Sequence, residues 1–86
     1  MLVTVFHPPN ARQTDIDLKN VYPEDEAFFQ ENNVSISLED IGGMFAIYAF
    51  CEGMEEEDEL LVLSHGRSCQ ETLKELRVEC EKYFSK

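Results

Sequence analysis

The chain has 86 residues, 43% of them apolar, and sets 18 acids against seven Lys and Arg for a net charge of −11. The apolar share excludes global disorder, and the length allows one domain (1–86) with one modest core. So acidic a balance excludes a direct grip on a phosphate backbone, which needs cations.

Taken in order, Leu2–His7 is a short β-prone run, stopped at Pro8-Pro9 because proline cannot continue a ladder. Asn10 to Thr14 reads as a polar connection. Asp15-Ile16-Asp17-Leu18 alternates weakly and fits either a short edge strand or an extended loop. Pro23 to Glu31 reads as a short helix: proline is tolerated in the first turn, and Glu24, Asp25 and Glu26 suit the positive end of the dipole. Asn32-Asn33 ends it, since Asn accepts the left-handed conformation.

The organising unit is the hairpin Val34 to Cys51. Val34-Ser35-Ile36-Ser37-Leu38-Glu39 alternates apolar and polar, the period of a strand with one wet face. Gly42-Gly43 supplies the positive φ of a two-residue turn. Met44 to Cys51 is the longest apolar run, too short to cross a bilayer. A turn at the glycines pairs Leu38 with Ile47, Ile36 with Ala49 and Val34 with Cys51. One face then carries Val34, Ile36, Leu38, Phe45, Ile47, Ala49 and Cys51 as core. The other carries Ser35, Ser37, Glu39, Ile41, Met44, Ala46, Tyr48 and Phe50. It is either an exposed aromatic patch, of the kind that marks an interface, or it is covered by the N-terminal strand or by the Pro23 helix.

Glu52 to Glu59 connects to the next strand through glycine and acid, with Glu55, Glu56, Glu57, Asp58 and Glu59 in one run. Leu60 to His65 reads as a third strand buried on both sides, ended by Gly66. In the final helix Ser68 and Glu71 form a capping box, and Cys69, Leu73, Leu76, Cys80, Tyr83 and Phe84 make one apolar stripe. That stripe is expected on the core face of the hairpin. The fold class is thus α+β: an antiparallel sheet of three to four strands, a C-terminal amphipathic helix on one face, and a short helix before the central hairpin. From Pro23 to Phe84 the element order resembles that of the double-stranded-RNA-binding fold. The cations that such domains set against RNA are missing, so no RNA function follows.

Three cysteines, Cys51, Cys69 and Cys80, with no short spacing argue against a disulfide scaffold or zinc ribbon and for a reducing compartment. With no basic leader or apolar h-region in Met1 to Phe6, the expectation is a cytoplasmic protein with no membrane contact. No metal or cofactor motif is present.

For function, the strongest feature is the stretch from Lys19 to Arg67, in which no Lys or Arg occurs. A basic partner protein is the charge-complementary choice. Glu52, Glu55, Glu56, Glu57, Asp58 and Glu59, with Glu24 to Glu26 and the Tyr48/Phe50 face, would form the contact. In size, charge and mixed αβ content the chain is similar to the small acidic anti-restriction and anti-CRISPR inhibitors of phages and mobile elements, which imitate nucleic acid. That likeness implies a non-enzymatic inhibitor. Two alternatives stay open. Arg67, Ser68 and Cys69 at a strand-to-helix turn would suit a small anion or a thiol enzyme, with Cys69 as a nucleophile activated by the helix dipole and His65 as its base. A homodimer through the sheet face or an edge strand is the other.

Overall fold

The computed structural model describes residues 1–10 and 12–85. Its elements are β1 (Leu2–His7), β2 (Arg12–Asp17), α1 (Leu18–Val21), α2 (Pro23–Glu31), β3 (Val34–Asp40), β4 (Phe45–Cys51), β5 (Leu60–Leu63) and α3 (Cys69–Phe84). They build an α+β fold around a five-stranded sheet in the order β2-β1-β3-β4-β5.

The central hairpin has the expected register. Val34 faces Cys51, Ile36 faces Ala49 and Leu38 faces Ile47. Gly42 and Gly43 both have positive φ, and the Ile41 N–H donates to the Met44 carbonyl at 2.8 Å to close the turn. Because side chains alternate with period two, this register alone decides which face of both strands is apolar.

The strand count differs from the expected three to four, and the sheet is not wholly antiparallel. Arg12 to Thr14 is strand rather than connection, and Asp15 to Asp17 takes the edge-strand alternative: Arg12–Asp17 pairs antiparallel with β1, from Leu2 with Asp17 to His7 with Arg12. β1 in turn lies parallel to β3, with Val5 beside Leu38. Parallel neighbours need a long crossover, and the segment that holds β2, α1 and α2 supplies it. Asp17 caps α1, its carboxylate accepting from the Lys19 N–H at 3.1 Å. β5 is also not buried on both sides. It is an edge strand on which Val62 is buried and Leu61 is 51% exposed.

Both long helices pack on the face that carries Val34, Ile36, Leu38, Ile47, Ala49 and Cys51. Phe29 of α2 and Leu73, Leu76 and Cys80 of α3 are fully buried there, joined by Val3, Val5 and Leu18. The α3 stripe falls as expected except at its end, where Phe84 is largely exposed. Ser68 and Glu71 form the capping box: the Ser68 hydroxyl accepts from the Glu71 N–H at 3.2 Å, and the Glu71 carboxylate accepts from the Ser68 N–H at 3.3 Å. Among the described residues no helix is long and apolar enough to cross a membrane.

One polar contact joins the two long helices. Asp25 of α2 is only 3% exposed and accepts from the Arg77 guanidinium of α3 at 3.2 Å. The same guanidinium lies 4.9 Å from the Phe28 ring centroid, a cation–π arrangement. Removing the cation from such a pair leaves a buried carboxylate without compensation, which costs about 3 kcal/mol or more. Removing the acid leaves a guanidinium that reaches solvent. Arg77→Met is therefore expected to destabilise the protein by about 3 kcal/mol, clearly more than Asp25→Asn. Urea unfolding of both single variants and the double variant checks this, with the double variant expected to recover part of the Arg77→Met loss.

Candidate functional site

The opposite face of the sheet carries neither long helix. Alternation along each strand places Leu2 and Phe6 of β1, Ser35, Ser37 and Glu39 of β3, Tyr48 and Phe50 of β4, and Leu61 of β5 on this side. The N-terminal strand does not cover it, because β1 extends the sheet in its own plane. The Pro23 helix does not either, because α2 packs on the other face with Phe29 in the core. Tyr48 and Phe50 are half-buried by their neighbours, while Leu2 is 71% and Phe6 39% exposed.

The β4–β5 connection borders this face. Met54 anchors it, buried among core residues, with its N–H donating to the Cys51 carbonyl at 3.0 Å. A single 3-10 turn, Glu56–Asp58, follows. Glu52, Glu55, Glu56, Glu57, Asp58 and Glu59 are all exposed, and among the described residues none forms an ion pair. A fixed apolar anchor thus holds up a fringe of solvated carboxylates.

Two clefts lie where the loop meets the sheet, and Glu59 lines both. The smaller, about 110 Å³, runs over Ser35, Ser37, Tyr48 and Phe50. The larger, about 480 Å³, lies between Glu59 and the Pro8-Pro9-Asn10 turn, over Phe6, Ser37, Glu39 and Tyr48. Inside it the Tyr48 hydroxyl donates to the Glu39 carboxylate at 2.7 Å. That bond, with partial burial and the Glu39 and Glu59 charges, holds the phenol above its ordinary pKa. The turn residues Pro8 and Pro9 and the ring of Phe6 were legible in the sequence only as a strand and its stop. Their one signal was that Phe6 falls out of phase with Val3 and Val5.

The structure treats the expected acids unequally. Glu24 is exposed, but Asp25 and Glu26 are buried at 3% and 8% and add nothing to an acidic surface. Asp25 is held by Arg77, and Glu26 accepts from the Met1 ammonium at 2.6 Å. Four of the seven cations are grouped away from this face, Arg12 of the larger cleft not among them. Arg67, Lys74, Arg77 and Lys82 sit on α3 or the turn before it, on the far side of the sheet from the open face.

The strand-to-helix turn is occupied by its own contacts. His65 and Gly66 both have positive φ. The Arg67 side chain donates to the Leu63 carbonyl at 2.8 Å and the Ser64 carbonyl at 2.9 Å, and it also pairs with Glu75. The Ser68 hydroxyl serves the capping box. Cys69 is half-buried, and desolvation pushes its thiol pKa up, against the lowering expected from the helix dipole. His7 contacts Thr14 Oγ1 at 2.9 Å. Among the described residues no three His, Cys, Asp or Glu are grouped to hold a metal ion. No protein-family model, no curated protein and no solved structure matches this chain.

Cys51 and Cys80 are buried with their thiols in hydrogen-bonding reach across the β4–α3 interface, and burial pushes Cys80 up to about 12. A thiol whose folded pKa is raised stabilises the fold fully below its unfolded value near 9.0 and ceases to do so as pH rises towards about 12. Urea stability should therefore fall above about pH 9, where the raised Met1 ammonium also loses its contribution, and Cys80→Ala should make that fall shallower without abolishing it. Iodoacetamide mass labelling of the native protein at pH 8 should leave Cys51 and Cys80 unmodified and Cys69 slow. Complete labelling of Cys69 at pH 6 would restore its reading as a thiolate.

Proposed function

We propose that this protein is a non-enzymatic acidic interaction module that binds a basic surface of another protein, with the β4–β5 loop and the open sheet face acting as one contact. The observation that carries this reading is the position of Glu59. The acidic run and the aromatic face are separate in sequence, yet Glu59 lines both clefts that Tyr48 also lines. An apolar centre next to a charged, solvated fringe is the usual composition of a protein-binding patch. The placement of most cations on the α3 side leaves this side with a negative field that steers a basic partner.

A second copy fits this surface less well than a basic partner does. Each copy carries −11, and facing the open sheets together would bring two unpaired acidic loops near one another. The closely spaced carboxylates from Glu55 to Glu59 also suit a groove built for nucleic acid, so a nucleic-acid-binding protein is the favoured class of partner. An inhibitor that occupies such a groove is the finer form of the proposal.

The test uses a panel of purified nucleic-acid-binding proteins and domains with basic grooves, measured by interferometry against the immobilised protein at 50 and 500 mM KCl. At least one panel member should bind, with affinity falling about tenfold or more at the higher salt, because exposed charges are screened beyond about 3–10 Å. The variant with Glu55, Glu56, Glu57 and Glu59 changed to Gln and Asp58 to Asn should lose that binding while keeping its fold by circular dichroism. Binding that ignores both salt and the five neutralisations overturns the proposal, as does a panel in which nothing binds.

A further inference from the structure

The larger cleft has the volume of a site that takes a side chain or small ligand. Its walls combine flat apolar groups with carboxylates. Phe6, Pro8, Pro9 and Tyr48 supply its apolar lining. Glu39 uses one oxygen to accept from the Tyr48 hydroxyl. Glu59 reaches the same cleft from the loop, and both carboxylates act on the Tyr48 phenol. Among the described residues no cation pairs with either one.

We propose that this cleft receives a single arginine side chain of the basic partner, its guanidinium held by Glu39 and Glu59 against the Tyr48 ring. The inference rests on the interaction reading above and gives it a specific anchor. An anion is excluded by the two carboxylates, and an apolar side chain would desolvate them without compensation. Between the two cations, arginine fits better than lysine. Its guanidinium is planar and weakly hydrated, stacks on aromatic faces and bonds carboxylates through two N–H groups at once. A lysine ammonium is compact and strongly hydrated, and gains less from a flat wall.

Arg12 also lines the cleft, from β2. Its backbone lies two strands away from Glu39, roughly 10 Å by the spacing of strands in a sheet, and among the described residues its guanidinium forms no ion pair. From there it would repel a second guanidinium. The site therefore reads one arginine flanked by neutral or acidic residues, whereas the exposed loop attracts positive charge without regard to its type.

The experiment is a titration of the 15N-labelled protein, followed by amide chemical shifts, with two probes: acetyl-Gly-Ser-Arg-Ser-Gly-amide and its lysine counterpart. The arginine peptide should shift Phe6, Glu39 and Tyr48, and bind about fivefold more tightly than the lysine peptide. The variant Glu39→Gln with Glu59→Gln should lose these shifts and keep a dispersed spectrum. The variant with Glu55, Glu56 and Glu57 changed to Gln and Asp58 to Asn should keep them. Equal binding of the two peptides, or shifts confined to Glu52 to Asp58, overturns the arginine site. The panel above separates this result from the broader reading. If a basic protein binds the Glu39/Glu59 variant as well as it binds the parent, the cleft falls and the interaction module stands. If the arginine peptide occupies the cleft and no basic protein binds, the module falls and the cleft remains an arginine site.

Discussion

The pleat of β3 and β4 divides this molecule into two halves of different chemistry. Val34, Ile36, Leu38, Ile47 and Cys51 point to the helices, and Ser35, Ser37, Glu39, Tyr48 and Phe50 point away. The division depends on the closure at Gly42-Gly43, since a slip of one residue would send serines into the core and aliphatic side chains into water. Both long helices then have only one apolar face to pack on. The bare second face and the position of the acidic loop beside it follow from that single register.

The buried acids serve a different purpose from the exposed ones. Asp25 and Glu26 are withdrawn from solvent and each meets a cation, Arg77 and the Met1 ammonium. Buried pairs of this kind add little net stability over apolar residues, but they penalise any arrangement that leaves one member alone. Arg77 selects one seating of α2 on α3. The Met1 ammonium, which also contacts Asp17 at 3.3 Å, ties the start of β1 to α2. Acids that looked equivalent in the sequence are therefore split into those that lock the helices and those that stand in solvent.

Much of the fold was readable because its signals are local. The paired glycines located the hairpin, Ser68 and Glu71 marked the start of α3, and Asn33, with φ of 54°, ends α2 as its residue type suggests. β2 was only half legible, its Asp15–Asp17 end open as an edge strand and its Arg12–Thr14 end taken as a connection, because an edge strand needs few apolar residues: of Arg12–Asp17 only Thr14, Ile16 and Asp17 are even partly buried. Pairing with β1 makes it a strand, and pairing is not a local property. The Asp25–Arg77 contact spans 52 positions and leaves no trace in periodicity. The acids, Tyr48 and Phe50 were visible as candidates, and so was the mixed face. Their convergence with Phe6 and the Pro8-Pro9 turn was not, because it depends on β1 lying parallel beside β3.

The contacts of Arg67 reach beyond the turn they stabilise. The Ser64 N–H donates to the Phe45 carbonyl at 2.9 Å, so the next residue back, Leu63, turns its carbonyl outward at the rim of the sheet. Arg67 places its guanidinium on that carbonyl. A short apolar rim would otherwise invite a foreign chain to continue the ladder, the first step of fibre growth. The cation stoppers it. At the opposite rim Arg12, Asp15 and Asp17 discourage the same event by charge. One broad face of the sheet is thus bare while both of its borders carry charge that opposes a further strand.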